Sequence, residues 1–222
     1  MQIQWYGQAA FRLEASEATV FIDPFGDLSQ LAQRLGVKLD YPPIEDVSAD
    51  LVLVTHEHGD HNGVEVIQGS PAVLRSTAGR LNSPIGDVVA IASEHDAAAG
   101  TERGPNTIFV LTLDGTRIAH FGDFGQRALR DEQAAAIGAV DLVFLPVGAG
   151  PTIGPEQAQL IVERLDPRWV VPMHYRTEKI GFLEPVDPFL ERMPHVVHAE
   201  GPVFDPASLD GERPLVVVPA VP

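Results

Sequence analysis

The chain has no cysteine in 222 residues. That removes disulfides, thiolate nucleophiles and every zinc site built on sulfur, so any metal must be held by imidazole and carboxylate. It also lacks an apolar run approaching the ~18–20 residues needed to span a bilayer. The segment "MQIQWYGQ" shows no positive region followed by a long apolar stretch, so no signal peptide is expected and the cytoplasm is the expected location. Basic residues are scarce, 15 Lys and Arg against 31 Asp and Glu, giving a net charge of −16. Nucleic-acid binding rests on neutralising phosphates with Lys and Arg. This balance argues against nucleic acid and against an anionic membrane surface, and leaves a small-molecule substrate as the expected partner. There is no Gly-x-Ser-x-Gly elbow and no glycine-rich phosphate loop. With no low-complexity stretch or linker, one domain over residues 1–222 is expected, large enough to bury a core.

What is present is a series of short β runs. "MQIQWYG", "AFRLEA" and "ATVFIDPF" open the chain as strands separated by turn residues. "LSQLAQRLG" (28–36) predicts a helix stopped by Gly36, and the prolines of "YPPIEDVSA" predict a loop. "DLVLV" (50–54) is a continuous apolar run suited to a buried strand. "AVLRST" and "DVVAIAS" are further strand candidates. "TIFVLTLDGTRIAHFGDFG" places Asp114-Gly115 between two β runs, the signature of a two-residue hairpin. Helices are expected over "QRALRDEQAAAIG" and "GPEQAQLIVERLDP", the second with proline in its first turn. "DLVFLPVG" and "RWVVPMHY" read as strands, and the tail as a helix end followed by edge strands. Sheet-rich layers with helices outside are the coarse expectation.

Directly after "DLVLV" comes "THEHGDH" (55–61), holding His56, His58, Asp60 and His61. On an extended segment His56 and His58 project to one side, and Asp60 and His61, beyond Gly59, turn toward a neighbouring point. Two ligand pairs on adjacent positions suit two metals better than one, but four residues cannot complete two sites. Three further donors follow β runs in the same way: His95 after "DVVAIAS", Asp123 after "RIAHFG" and His174 after "WVVPM". Loops at strand ends are where such a scaffold gathers a site from distant sequence.

The ordered set "THEHGDH", "SEHD", "HFGDFG" and "PMHY" resembles the metallo-β-lactamase superfamily. More narrowly, "WYG…AAFRLE", "FIDPF", "HFGDFG", "GPEQA" and "PMHY" are similar to its branch of cytosolic L-ascorbate 6-phosphate lactonase-like hydrolases, over roughly residues 2–200. The resemblance implies an α+β fold, a four-layer αββα sandwich with a dinuclear site at one edge. By motif position it implies that His56, His58 and His95 hold one metal, that Asp60, His61 and His174 hold the other, and that Asp123 bridges them. Relatives often assemble, which makes a homo-oligomer an expectation. Members of the branch carry histidine where Gln8 stands here. Gln8 keeps a hydrogen bond but cannot titrate near neutral pH. The run "GAGPTIGPEQA" (148–158) also departs from the branch pattern, so the 148–154 loop is a second point where specificity is expected to differ.

The nitrogen and oxygen donors suit two divalent ions, zinc first, with manganese or iron as alternatives. Oxygen-reducing iron relatives place glutamate at the His58 position, so histidine there favours hydrolysis. The expected chemistry is attack by a metal-bridging hydroxide on a small ester, lactone or phosphoester, with Asp60 orienting the hydroxide and relaying its proton. The alternatives are a phosphodiesterase acting on lipid or nucleotide substrates and a non-catalytic metal-binding regulatory or interaction protein of the same fold. Supporting roles fall to Asp23 behind the ligands and to His120 as a neighbour of Asp123. Tyr175 is a candidate donor to a developing oxyanion. Arg176, with Lys179 nearby, is a candidate contact to a substrate anion. His195 and His198 read as structural.

Overall fold

The computed structural model describes residues 1–222. Seven strands occupy the first third of the chain: β1 (Gln2–Gly7), β2 (Ala10–Glu14), β3 (Thr19–Ile22), β4 (Val47–Ser48), β5 (Leu51–Val54), β6 (Ile67–Gln68) and β7 (Ala72–Arg75). The next group is β8 (Gly79–Ser83), β9 (Gly86–Glu94), β10 (Pro105–Leu113), β11 (Thr116–His120), β12 (Leu142–Pro146) and β13 (Trp169–Met173). The tail adds β14 (His195–His198), β15 (Val203–Phe204) and β16 (Leu215–Val218). They form a six-stranded sheet, β15-β1-β2-β3-β5-β7, an eight-stranded sheet, β14-β16-β13-β12-β11-β10-β9-β8, and a small β4-β6 pair.

Alternation decides which residue goes to which layer. In the first sheet Ile3, Trp5, Phe11, Leu13, Val20, Ile22, Leu51 and Leu53 point inward, to a core of 45 buried residues shared with the second sheet. Their neighbours Phe21, Val52 and Val54 point outward, to a separate cluster of 13 with Leu28, Leu39, Tyr41 and Ile44. Residues 25–47, with the short helix α1 (Ser29–Leu35), therefore cover the outer face of that sheet. Helices α2 (Asp131–Ile137) and α3 (Pro155–Leu165) lie outside the second sheet. α3 buries Ala158, Ile161, Val162 and Leu165 at helical spacing, starts on Pro155, and ends on Asp166 in the left-handed region. A further turn, α4 (Asp187–Leu190), packs on α3. The layers are those of the αββα sandwich.

Three local expectations change, the first being a two-residue strand, Val47–Ser48, inside the run expected as a loop. The run Leu215–Val218 is not an edge strand: it sits between β13 and β14, pairing parallel with both, and all four residues are buried. Residues 126–130 are not helical, and α2 begins only at Asp131. The Asp114-Gly115 hairpin is present, with φ of 48° and 76°, as a two-residue turn of that type requires.

Direction matters more than strand count for the site. β3 and β5 are parallel neighbours in the first sheet. In the second, β11, β12 and β13 are parallel, and β9 is antiparallel to β10, which is antiparallel to β11. The C-terminal ends of β9, β11 and β13 thus share one edge, and those of β3 and β5 meet them there.

Candidate metal centre

Every candidate ligand lies just beyond one of those strand ends. His56, His58, Asp60 and His61 follow β5, His95 follows β9, Asp123 follows β11, and His174 follows β13. Four imidazoles converge on one carboxylate oxygen: Nε2 of His95, His174, His61 and His56 lie 3.1, 3.2, 3.4 and 4.0 Å from Asp123 Oδ2. His61 Nε2 is 3.6 Å from Asp60 Oδ2, and His56 Nε2 is 3.0 Å from His58 Nδ1. Three groups bring their donor atoms within 4.8 Å of one another: His56 with His58 and His95, His56 with His61 and Asp123, and Asp60 with His61 and His174. The first and third are the two triads that the resemblance implies.

The rings are oriented from behind. Asp23, at the end of β3, accepts the backbone N–H of Thr55 at 2.7 Å on one oxygen. Its other oxygen accepts the Thr55 hydroxyl at 2.7 Å and pairs with His61 Nδ1 at 2.9 Å. Because that hydroxyl donates to Asp23, it accepts from His56 Nδ1 at 3.1 Å. His95 Nδ1 donates to the carbonyl of Pro151 at 3.0 Å. In His56 and His95 the proton is on Nδ1, so Nε2 carries a bare lone pair facing the centre, and Asp23 holds the Nδ1 proton of His61. His174 differs, because its buried Nδ1 has no partner.

The donor set fits divalent metal. His61 Nε2 and Asp123 Oδ1 are buried and make no hydrogen bond within the protein, a costly arrangement unless something else satisfies them. Burial, and then the neighbouring His61, hold His56 far below the ordinary histidine range, which keeps it a neutral donor. Burial and His95 lower His58 in the same direction. Burial opposes the ionised form of Asp123, but His174 and His61 outweigh it and hold the carboxyl well below its usual range. Burial also opposes a charged His61, yet Asp123, Asp60 and Asp23 together raise it well above 6.5. A cation at the centre replaces that proton as the counter-charge to the carboxylates.

The backbone is shaped for these positions. Asp23, Gln8 and His174 adopt φ of 51°, 49° and 51°, left-handed values that cost non-glycine residues about 1–3 kcal/mol each. Gly122, at φ 54°, passes so close to its surroundings that a Cβ would lie 2.5 Å from Asn106 Oδ1 and 2.6 Å from Thr55 Oγ1. Asn106, on β10, accepts the backbone N–H of Asp123 at 3.0 Å and donates to Ser93 Oγ and to the carbonyl of Phe121, each at 2.8 Å. Neither Asn106 nor Thr55 stands out in the sequence as a supporting residue. Asn106 sits in a strand 17 positions before Asp123, and no local pattern marks it.

The supporting candidates separate. Asp23 sits behind His61 and, through Thr55, behind His56, as just described. His120 is fully buried, donates from Nε2 to the carbonyl of Ala9 at 3.0 Å and accepts the N–H of Gly122 at 3.2 Å. It braces the turn before Asp123 rather than touching a ligand side chain. Tyr175 packs its ring on Trp5 at 5.6 Å, and its phenol is raised by burial. Arg176 donates to the carbonyl of Leu183 at 2.6 Å and lies 3.9 Å from Glu184. Neither Tyr175 nor Arg176 lines the cavity over the cluster. Gln8 is 1% exposed, with both atoms of its amide unpartnered, and its carbonyl accepts from Trp5 Nε1 at 3.1 Å and from the His174 N–H at 3.4 Å. The 148–154 loop supplies Pro151, which both orients His95 and lines the cavity. That cavity is about 260 Å³, and its walls include His58, Asp60, His95, Asp123 and His174.

Two mixed sheets meeting at a strand-end edge with this His and Asp cluster define a known class. Residues 2–174 match the family model described as "Beta-lactamase superfamily domain", and the chain belongs to the metallo-β-lactamase superfamily. It is 35% identical over 203 residues to a UPF0173 metal-dependent hydrolase of Thermococcus kodakarensis, covering 80% of this chain and 85% of that one. A UPF0173 metal-dependent hydrolase of Pelotomaculum thermopropionicum is 33% identical over 238 residues, covering 94% and 98%. Among solved structures, a Thermotoga maritima protein described as a Zn-dependent hydrolase of the superfamily superposes with a TM-score of 0.77 at 29% identity, over 98% of both chains.

Proposed function

We propose that the protein is a metal-dependent hydrolase that holds two divalent ions, zinc first, and cleaves a small ester, lactone or phosphoester. The observation that carries this is the convergence of four histidine nitrogens on Asp123 Oδ2, with His61 Nε2 and Asp123 Oδ1 left unpaired in a buried site. The names of the Thermococcus and Pelotomaculum relatives support the reaction class. The similarity of "FIDPF", "HFGDFG" and "PMHY" to lactonase-like hydrolases supports an ester or lactone over other substrates.

In this proposal His56, His58 and His95 hold one ion, Asp60, His61 and His174 hold the second, and Asp123 is shared. Ions bound there supply Lewis acidity for the scissile carbonyl or phosphoryl oxygen and a water of lowered pKa. The chain's own residues do the rest. Asp23 and Thr55 fix the rings, and Pro151 fixes His95. Asp60, half-buried on the cavity wall, holds the nucleophile's proton on its carboxylate and passes it to the leaving group.

Elemental analysis of the purified protein tests this, on wild type and Asp123→Ala, together with turnover on a panel of esters, lactones and phosphodiesters. About two ions per chain, falling to one or none in the variant, with ester or lactone turnover, is the expected result. An ion content of zero or one, unchanged by the substitution, would sink the two-metal proposal. Two ions with no turnover across the panel would favour the non-catalytic metal-binding alternative.

A further inference from the structure

Two arginines stand at the mouth of the cavity, Arg34 from the last turn of α1 and Arg103 from the loop after His95. In a chain with 31 acids and 15 bases, seven of the eleven other arginines lie within 4 Å of a carboxylate: Arg12, Arg75, Arg80, Arg130, Arg164, Arg176 and Arg213. Arg34 and Arg103 have no such partner and no side-chain hydrogen bond. The only carboxylates on the cavity wall are Asp60 and Asp123, both already in the cluster. The cavity therefore carries two guanidinium groups free of carboxylate partners on a strongly anionic protein.

Arg103 is held in place. Asp96 accepts the backbone N–H of Ala98 and Gly100 at 2.8 Å on one oxygen, and those of Glu102 and Arg103 at 3.1 and 2.8 Å on the other. These four bonds pin the loop from 97 to 103 around one 6% exposed carboxylate, so the guanidinium starts from a fixed backbone. Preorganisation of this kind lowers the entropy lost when a side chain closes on a ligand.

Part of the cavity wall is apolar. Leu31, Leu35, Leu39 and Phe182 line it, and Leu35 and Phe182 are left 53% and 43% exposed. A compact cavity lined by the His and Asp cluster, by hydrocarbon and by two guanidinium groups without carboxylate partners matches a molecule that carries a scissile bond, a short hydrocarbon segment and an anionic group.

We propose that Arg34 and Arg103 form the receptor for an anionic group, carboxylate or phosphate, at the end of the substrate remote from the scissile bond. The substrate class is a small amphipathic ester or lactone whose short hydrocarbon segment lies on Leu35 and Phe182. This rests on the hydrolase function proposed above, and the two fail separately in the following test.

The zinc-loaded full chain is assayed with mono-p-nitrophenyl esters of four- to eight-carbon dicarboxylic acids and with the p-nitrophenyl esters of the matching monocarboxylic acids. Binding is followed in parallel by calorimetry, with adipate against hexanoate, and with 6-phosphonohexanoate to separate phosphate from carboxylate. The wild type is expected to favour the anionic ester at the best chain length by about tenfold in kcat/KM, chiefly through KM, and to bind adipate about tenfold more tightly than hexanoate. Both ratios fall to about one in the Arg34→Gln, Arg103→Gln double variant and persist in Arg80→Gln, which removes the same kind of charge far from the cavity. Circular dichroism and the thermal midpoint confirm that the double variant is folded. Ester turnover without charge preference, or ratios unchanged in the double variant, overturns the receptor and leaves the hydrolase. Preference for adipate with no ester cleaved supports the receptor and overturns the hydrolase. Adipate and hexanoate binding alike overturns the receptor whatever the turnover.

Discussion

Asp23 Oδ2 lies 2.9 Å from His61 Nδ1, and both side chains are completely buried. The same carboxylate holds the backbone and hydroxyl of Thr55, so one residue orients two rings. Asp23→Asn replaces an acceptor by a donor facing either an N–H or an O–H. Zinc affinity is expected to fall about 10–100-fold, as for other residues that orient a metal-bound histidine. Competition against a fluorescent chelator measures it, and an unchanged affinity would show that the ring is held by something other than Asp23.

Gly122 lies against Asn106 and Thr55, which sit on opposite sheets. Gly122→Ala would force a left-handed φ on a residue with a Cβ and press that Cβ into both neighbours. The expected loss is about 2–4 kcal/mol, seen as a lower urea midpoint with an unchanged slope. A variant as stable as wild type would mean that the turn before Asp123 has room to relax.

His120 imposes a pH dependence on stability. Burial lowers its pKa from 6.5 to about 4 in the folded protein, where Nδ1 is occupied by the Gly122 N–H. Above pH 6.5 neither the folded nor the unfolded state protonates it. As the pH falls from 6.5 to 4 the unfolded chain takes up a proton that the folded one refuses, so stability is lost over that window. The total is about 3 kcal/mol. Comparing urea midpoints of chelator-treated wild type and His120→Gln across this range isolates the effect, because the other histidines are common to both. Parallel curves would refute it.

Metal should stabilise the fold as well as serve the chemistry. Zinc at about one hundred times its dissociation constant adds about 2.7 kcal/mol to chelator-stripped protein. For a chain of this size that is a rise of roughly 5–11 °C in thermal midpoint. Asp123→Ala should show a much smaller rise, and equal shifts in the two proteins would place the binding elsewhere.

The ligand cluster was legible because its donors are local or recur after apolar runs: "THEHGDH" is contiguous, and His95, Asp123 and His174 each follow a strand. The supporting layer was legible at Asp23 and, as a brace of the turn before Asp123, at His120. Thr55 adjoins the cluster, but its role depends on pairing with Asp23 on the neighbouring strand; Asn106 acquires its role from the next strand, and nothing within a few residues of it announces it. Arg176 stands two positions after His174 in the sequence, but its side chain bonds to the carbonyl of Leu183, and the cavity arginines come from α1 and from the loop pinned by Asp96. "GRLNS" (79–83) escaped as a strand because it has no apolar alternation and borrows its place from β9. The tail strand Leu215–Val218 was assigned to an edge because chain order says nothing about insertion between β13 and β14.

The donor atoms are split between the two sheets. His56, His58, Asp60 and His61 hang from the first, and His95, Asp123 and His174 from the second. Neither layer holds a complete coordination set, so a chain whose sandwich has not closed offers only fragments of one. On the proposed assignment, chemical competence is a property of the closed sandwich and belongs to neither layer alone.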